Sequence, residues 1–259
     1  MIKAVFFDID GTLVSFKTHT IPQSTLDALA LLREKGIKVF IATGRHFCSI
    51  NNLGNQIFDG YVTINGGRVL VGTDQVIYKQ GIPSEDIQAL FNYWEKEGEF
   101  PCAFVFENEL LMNFTNEAVD EVFQMLNFPA PPIRPIEEMK EREVFQLIAF
   151  FTEDQEQRIM KFLPRCESTR WTSLFTDVVP MGISKRVGID KMLEHFQIGL
   201  DECMAFGDGG NDIQMLSHVG IGIAMGNASE DVKKEADYVI KSCEEDGVAF
   251  LMERIMGVI

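Results

Sequence analysis

The sequence predicts an α/β protein: a doubly wound, Rossmann-like parallel-sheet core with an α+β domain inserted into it. Three observations predict this. Short apolar runs such as IKAVFF (2–7), KVFIA (38–42) and CMAF (203–206) alternate with segments of helical periodicity, as strands buried on both faces do. Those runs end in polar clusters rich in Asp, Thr and Gly, where open α/β sheets bind ligands. The alternation stops near residue 82, gives way to adjacent strand pairs and helices, and resumes after Pro180. The expected division is 1–81 with 184–259 for the core and 82–183 for the insertion.

Taken in order, residues 2–7 form the first strand. A helix follows over 22–35, with Pro22 at its start, Gly36 at its end, and Leu26, Leu29, Ala30 and Leu32 on one face. After strand 38–42 come a helix over about 46–56, a strand at 61–64, and a hairpin of RVLV and QVIYK around GTD. In the insertion, Ser84 is expected to cap a helix with Glu85 and Asp86 in its first turn and Ile87, Leu90, Phe91 and Trp94 on its apolar face. Strands near CAFVF and ELLMNF, a helix through Val119, Val122, Phe123 and Leu126, strand VFQLIAFF, and a helix through Ile159, Phe162 and Leu163 follow. CESTRW and FTDVV close the insertion as strands of an antiparallel sheet. The core resumes with a helix through Ile189, Met192, Leu193 and Phe196, strand CMAFGD, a helix near 211–217, strand GIGIA, a helix near 229–235, strand YVI, and a last helix near 245–255.

Composition bounds the function. The 259 residues, 46% hydrophobic, suffice for a substantial core. A net charge of −16 disfavours nucleic acid and anionic membranes as partners, since both are bound by clustered Lys and Arg. The five cysteines are odd in number and form no CxxC pair, which points to reduced thiols in a reducing compartment. No run approaches the ~18 apolar residues of a membrane span, and the aspartates of MIKAVFFDID come too early for a signal peptide. A cytoplasmic protein acting on a small molecule is expected.

The chemistry lies in FFDIDGTLV (6–14), where an apolar strand runs into two aspartates two residues apart. Alone, this could be an ordinary strand-ending turn. Thr43-Gly44-Arg45 and Gly207-Asp208 end two further strands, however, and Lys185 begins a helix, so remote segments deliver three carboxylates, a hydroxyl and an ammonium to one sheet edge. Carboxylates without neighbouring His or Cys suit a hard divalent cation, Mg²⁺ first among them. With such an ion, one aspartate can be an ionised nucleophile and the other an acid and base, while Thr43, Gly44 and Lys185 hold phosphoryl oxygens. Arg45 is expected to be structural, bonded to a neighbouring loop carboxylate.

These motifs resemble the haloacid dehalogenase (HAD) superfamily: DIDGTL, ATGR, Lys185 in GISKRVGI, and GDGGND, in that order. The TGR form, the ~100-residue insertion and the later AMGNA resemble its Cof-like subfamily with a type C2 cap. The resemblance implies that Asp8 is nucleophile and metal ligand, and that Asp10 is the general acid and base and ligates the metal through its main-chain carbonyl. It implies that Thr43, Lys185 and Asn211 bind the phosphoryl group, that Asp208 ligates Mg²⁺, and that Asp212 supports the metal site through water or by orienting its neighbours. Asn65, in TINGG, is similar to a loop near the family's substrate mouth and is given no role. The implied activity is a Mg²⁺-dependent phosphatase of small phosphorylated metabolites, sugar phosphates first among them, working through an aspartyl-phosphate. A hexose phosphomutase is the alternative, with Arg134, Arg142, Arg158, Arg165 and Arg170 as candidates for a second phosphate. A phosphorylation switch is disfavoured, because Asp10 would speed hydrolysis of any phosphoaspartate.

Overall fold

The structure is a computed structural model, and it describes residues 1–126, 128–170 and 172–248. Its strands are β1 (Ala4–Phe7), β2 (Lys38–Ala42), β3 (Gly60–Thr63), β4 (Arg68–Val71), β5 (Gln75–Lys79), β6 (Cys102–Val105), β7 (Leu110–Met112), β8 (Gln146–Ala149), β9 (Cys166–Thr169), β10 (Thr176–Pro180), β11 (Cys203–Gly207), β12 (Ile221–Ala224) and β13 (Tyr238–Val239). Its α-helices are α1 (Gln23–Glu34), α2 (Ser84–Glu97), α3 (Glu117–Met125), α4 (Glu153–Ile159), α5 (Lys185–Phe196), α6 (Ile213–Leu216) and α7 (Glu230–Lys234). The chain divides into two compact units, one of Met1–Tyr78 with the chain from Ser184 onward, the other of Lys79–Ile183.

The first unit is an eight-stranded sheet in the order β13-β12-β11-β1-β2-β3-β4-β5. It is parallel from β13 to β3, and β4 then pairs antiparallel with β3. Alternate residues of β1 serve opposite faces. Val5 and Phe7 join Val39, Ile41, Phe206 and Leu29 and Leu32 of α1 on one side. Ala4 and Phe6 join Phe40, Val62 and Ile189, Met192 and Leu193 of α5 on the other. That two-sided burial is why the strands read as unbroken apolar runs rather than alternating ones. Phe6 stacks on Phe40 at 4.7 Å between ring centroids and Phe7 on Phe206 at 4.8 Å, which fixes β1 against both neighbours.

The second unit is a five-stranded antiparallel sheet, β7-β6-β8-β10-β9. Helix α2 packs Ile87, Leu90, Phe91 and Trp94 onto Phe104, Leu147 and Ala149, with Ile159 of α4 in the same cluster. Helix α3 packs Val119, Val122 and Phe123 with Ala103, Met112 and Phe150 in a separate cluster. The aromatic residues Phe91, Trp94, Phe104 and Phe106 of this unit therefore form core.

Several local expectations need correction. Residues 46–56 form only a 3₁₀ turn at Phe47–Ser49, because Asn51 and Asn52 favour turns and Gly54 takes a φ of +60°. Ser84 is the first residue of α2 rather than its cap; Pro83 precedes it and no side chain caps the end. On α1 it is Ala28, not Ala30, that is buried with Leu29 and Leu32. Thr169 ends the strand expected over CESTRW, and Trp171 lies outside the described residues. A 3₁₀ turn, Gly210–Asp212, occupies the start of the helix expected over 211–217. The helix expected over 245–255 lies for the most part outside the described residues.

Candidate active site

The register of β1 with both neighbours builds the site. Phe7 lies opposite Phe206 on one side and Ile41 on the other, so Asp8, Gly207-Asp208 and Thr43 leave the sheet at one level. The Asp8 amide still donates to the Phe206 carbonyl at 3.0 Å, which holds this aspartate as firmly as a strand residue. Beyond it the chain turns sharply. Gly11 N–H donates to the Val14 carbonyl and Val14 N–H to the Ile9 carbonyl, each at 2.8 Å. Gly11 has φ +83°, and a β-carbon there would come within 2.8 Å of the Asp208 carboxyl carbon, so both conformation and space call for glycine.

Lys185, the first residue of α5, is wholly buried. Its ammonium donates to Asp8 Oδ1 at 2.5 Å and to Asp212 Oδ1 at 2.6 Å. A cation at a helix N-terminus opposes the helix dipole, and a buried one is costly unless paired. Burial works against the charge of Lys185, but Asp212 and Asp8 outweigh it and raise the ammonium above the ordinary lysine range. A close helix–strand approach delivers the lysine: a β-carbon on Gly188 would collide with Val62 of β3, and one on Gly66 with the Ser184 carbonyl.

Asp212 is also fully buried. Its Oδ2 accepts the amides of Asp208 and Gly209, each at 2.9 Å, while Oδ1 serves Lys185. Both its oxygens are thus engaged in shaping the loop and holding the lysine. Asp208 Oδ1 accepts the Thr12 hydroxyl at 2.8 Å, and its Oδ2 accepts Asn227 Nδ2 at 2.9 Å. Burial pushes the Asp8 carboxyl up to about 7, against the pull of Lys185 and with help from Asp212 and Asp10. It pushes Asp208 up to about 8, helped by Asp8 and Asp212 and opposed by Thr12.

Asp10 stands apart from this cluster. Its carboxylate is held by a two-point ion pair, Arg45 Nε to Oδ2 at 2.6 Å and Arg45 Nη2 to Oδ1 at 2.7 Å. Arg45 Nη1 donates to the Ser49 carbonyl, which anchors the guanidinium. The expected loop-carboxylate partner of Arg45 is therefore Asp10. Thr43 is buried, and its hydroxyl accepts the Arg45 amide at 3.1 Å. Gly44 lies beside Asn65 and Asn211: a β-carbon there would sit 3.1 Å from Asn65 Oδ1 and 3.4 Å from Asn211 Nδ2. Asn211 Nδ2 donates to Asn65 Oδ1 at 2.9 Å, and the Asn65 amide donates to the Thr43 carbonyl.

The residues present fit a divalent cation. Asp8, Asp208 and Asp212 each offer a carboxylate oxygen within 4.8 Å of the others. Three carboxylates against the one Lys185 ammonium leave two negative charges to be balanced, and the donors are hard oxygens that suit Mg²⁺. The ion pair with Arg45 removes Asp10 from that balance.

Asn65, Thr12 and Asn227 belong to this constellation, although the motif reading gives none of them a role. Asn65 carries a signal, an asparagine before two glycines that adopts φ +51°. The contacts of Thr12 and Asn227 have none, because hydrogen-bond choice depends on how distant loops meet.

Comparison with known proteins shows what the chain is similar to. A family profile described as haloacid dehalogenase-like hydrolase matches residues 5–252. A Bacillus subtilis (strain 168) protein named as a phosphatase, YkrA, is 35% identical over 255 residues, covering 98% of this chain and 97% of that one. An HMP-PP phosphatase of Yersinia pseudotuberculosis is 31% identical over 261 residues, covering 96% and 93%. The solved structure of BT4131, described as a HAD subclass IIB sugar phosphatase, superposes with a TM-score of 0.91 at 46% identity, covering 99% and 100%.

Proposed function

The chain belongs to the haloacid dehalogenase-like hydrolases and is a phosphatase, and we propose that it hydrolyses small phosphate monoesters, sugar phosphates first, through a phosphorylated Asp8. The observation that carries this reading is Asp8 itself, a buried carboxylate fixed at a strand end, paired to Lys185 at 2.5 Å and clustered with Asp208 and Asp212. The sugar-phosphate class is supported by the description of BT4131 at 46% identity, while the HMP-PP phosphatase relative keeps heterocyclic pyrophosphate esters among the substrates to assay.

In this reading Asp8, Asp208 and the Asp10 main-chain carbonyl would hold a Mg²⁺ ion, with Asp212 supporting the site through water or by orienting its neighbours. When bound, the ion neutralises carboxylate and phosphoryl charge. Lys185, Thr43, Gly44 and Asn211 hold the phosphoryl oxygens. An Asp8 oxygen attacks phosphorus as the bond to the ester oxygen breaks, and Asp10, released from Arg45 and protonated from solvent, gives that oxygen the proton. Asp10 then takes a proton from water, whose oxygen attacks phosphorus, releases phosphate and restores the Asp8 carboxylate. Between the transfers Arg45 holds the ionised Asp10 carboxylate.

The unit Lys79–Ile183 is proposed as the cap that selects the leaving group. Three of its five candidate arginines argue against the mutase: Arg142, Arg165 and Arg170 are bound to Glu109, Asp86 and Glu156 at 2.7 Å each. The five free thiols, four of them buried, support a reducing, cytoplasmic location. No helix among the described residues is long and apolar enough to cross a membrane.

The test is phosphate release from an aryl phosphate and a panel of sugar phosphates, with and without Mg²⁺, against an Asp8→Ala blank. Turnover by that variant, or turnover indifferent to chelation, overturns the proposal. Conversion of a hexose 1-phosphate into its 6-phosphate favours the mutase.

A further inference from the structure

The geometry points to Asn227 as a positioning residue for the metal-binding carboxylate: its amide ties Asp208 to the loop after Asp8 and so sets the affinity for the divalent ion. This rests on the reading of Asp208 as a metal ligand. Asn227 lies in the turn after β12, and the turn is fixed beside the site because Met225 N–H donates to the Gly207 carbonyl at 2.9 Å. Asn227 Nδ2 then makes two bonds, to Asp208 Oδ2 at 2.9 Å and to the Gly11 carbonyl at 3.0 Å.

Both partners are acceptors, so the amide nitrogen, with its two hydrogens, is the only end of the side chain that satisfies them. One residue therefore joins three loops, those of Gly11, Asp208 and Asn227. The other Asp208 oxygen accepts the Thr12 hydroxyl. The carboxylate is thus held at both oxygens, and its plane cannot rotate without losing a bond.

Orientation matters here because Asp208 is pressed against like charges. The Gly11 main chain passes so close that a β-carbon would meet its carboxyl. Ligands of a small hard ion must present their lone pairs in a narrow geometry, and hydrogen-bond partners behind them hold that geometry. Asn227 is exposed to solvent, so water can compete for its bonds, and the effect is set at the low end of what such partners contribute.

The test is a Mg²⁺ titration of thermal stability, with isothermal calorimetry beside it, on the wild type and on Asn227→Ala. The variant is expected to need about tenfold more Mg²⁺ for the half-maximal rise in Tm, to match the wild-type Tm in EDTA, and to regain its lost rate as Mg²⁺ is raised. Asn227→Leu, which keeps the bulk without the donors, is expected to behave alike and serves if the alanine variant folds poorly. An unchanged Mg²⁺ midpoint overturns the inference, whether or not the Tm in EDTA falls, since a mere structural stitch would lower only the latter. A wild type that shows no response to Mg²⁺ overturns the metal reading itself, and this inference with it.

Discussion

Lys185 Nζ lies 2.5 Å from Asp8 Oδ1 although 177 positions separate the two residues in the chain. The ammonium and the two carboxylates it serves are all buried. Removing one member of such a group leaves its partners charged and unpaired. Lys185→Met is expected to lose about 3–5 kcal/mol of stability without Mg²⁺, read by urea unfolding, and about 10³-fold in kcat. A variant as stable and as active as the wild type would contradict the pairing.

Asp8→Asn keeps the shape of the side chain and removes the nucleophile. Burial already pushes this carboxyl up to about 7, so a neutral amide suits the position and the fold is expected to hold. Phosphate release is expected to fall at least about 10⁴-fold, as for other removed nucleophiles. Circular dichroism and a burst-phase phosphate assay check the two halves of the statement.

Chelation tests the carboxylate cluster as a whole. EDTA is expected to abolish turnover, and added Mg²⁺ to restore it and to stabilise the fold by about 1–3 kcal/mol at concentrations of ten to a hundred times Kd, read as a rise in Tm. Asp208→Asn is expected to abolish that rise, since it removes one of three charges around the ion. A Tm that climbs equally in the variant would place the ion elsewhere.

Gly188→Ala probes how α5 reaches the site. The added methyl would press on Val62 and on the Gly66 main chain. Overpacking of this kind costs about 1–3 kcal/mol. Because the displaced helix begins with Lys185, kcat is expected to fall more than KM rises, read by steady-state kinetics and thermal melts of the same preparation.

The parallel core was legible in the sequence because helices cover both faces of its strands, so IKAVFF and KVFIA appear as plain apolar runs. Asp8, Thr43 and Asp208 were legible because each stands where such a run stops. The bond between Asn227 and Asp208 was not, since no spacing rule relates two loops that happen to meet. The Arg45 clamp was half legible: a loop carboxylate was expected, but only the turn geometry selects Asp10. The helix expected over 46–56 fails because Asn51, Asn52 and Gly54 favour turns locally.

The strand carrying Asp8 is flanked by β2, which follows soon after it, and by β11, which begins only at Cys203. During synthesis on the ribosome, one edge of β1 therefore stays unsatisfied until most of the polypeptide has emerged, whereas the antiparallel sheet of Lys79–Ile183 can close from contiguous chain. Such distant pairing slows folding and leaves an apolar strand open to stray association. Nascent chains released before Cys203 are expected to aggregate through that edge, and the completing step of maturation is the arrival of the segment that begins with β11.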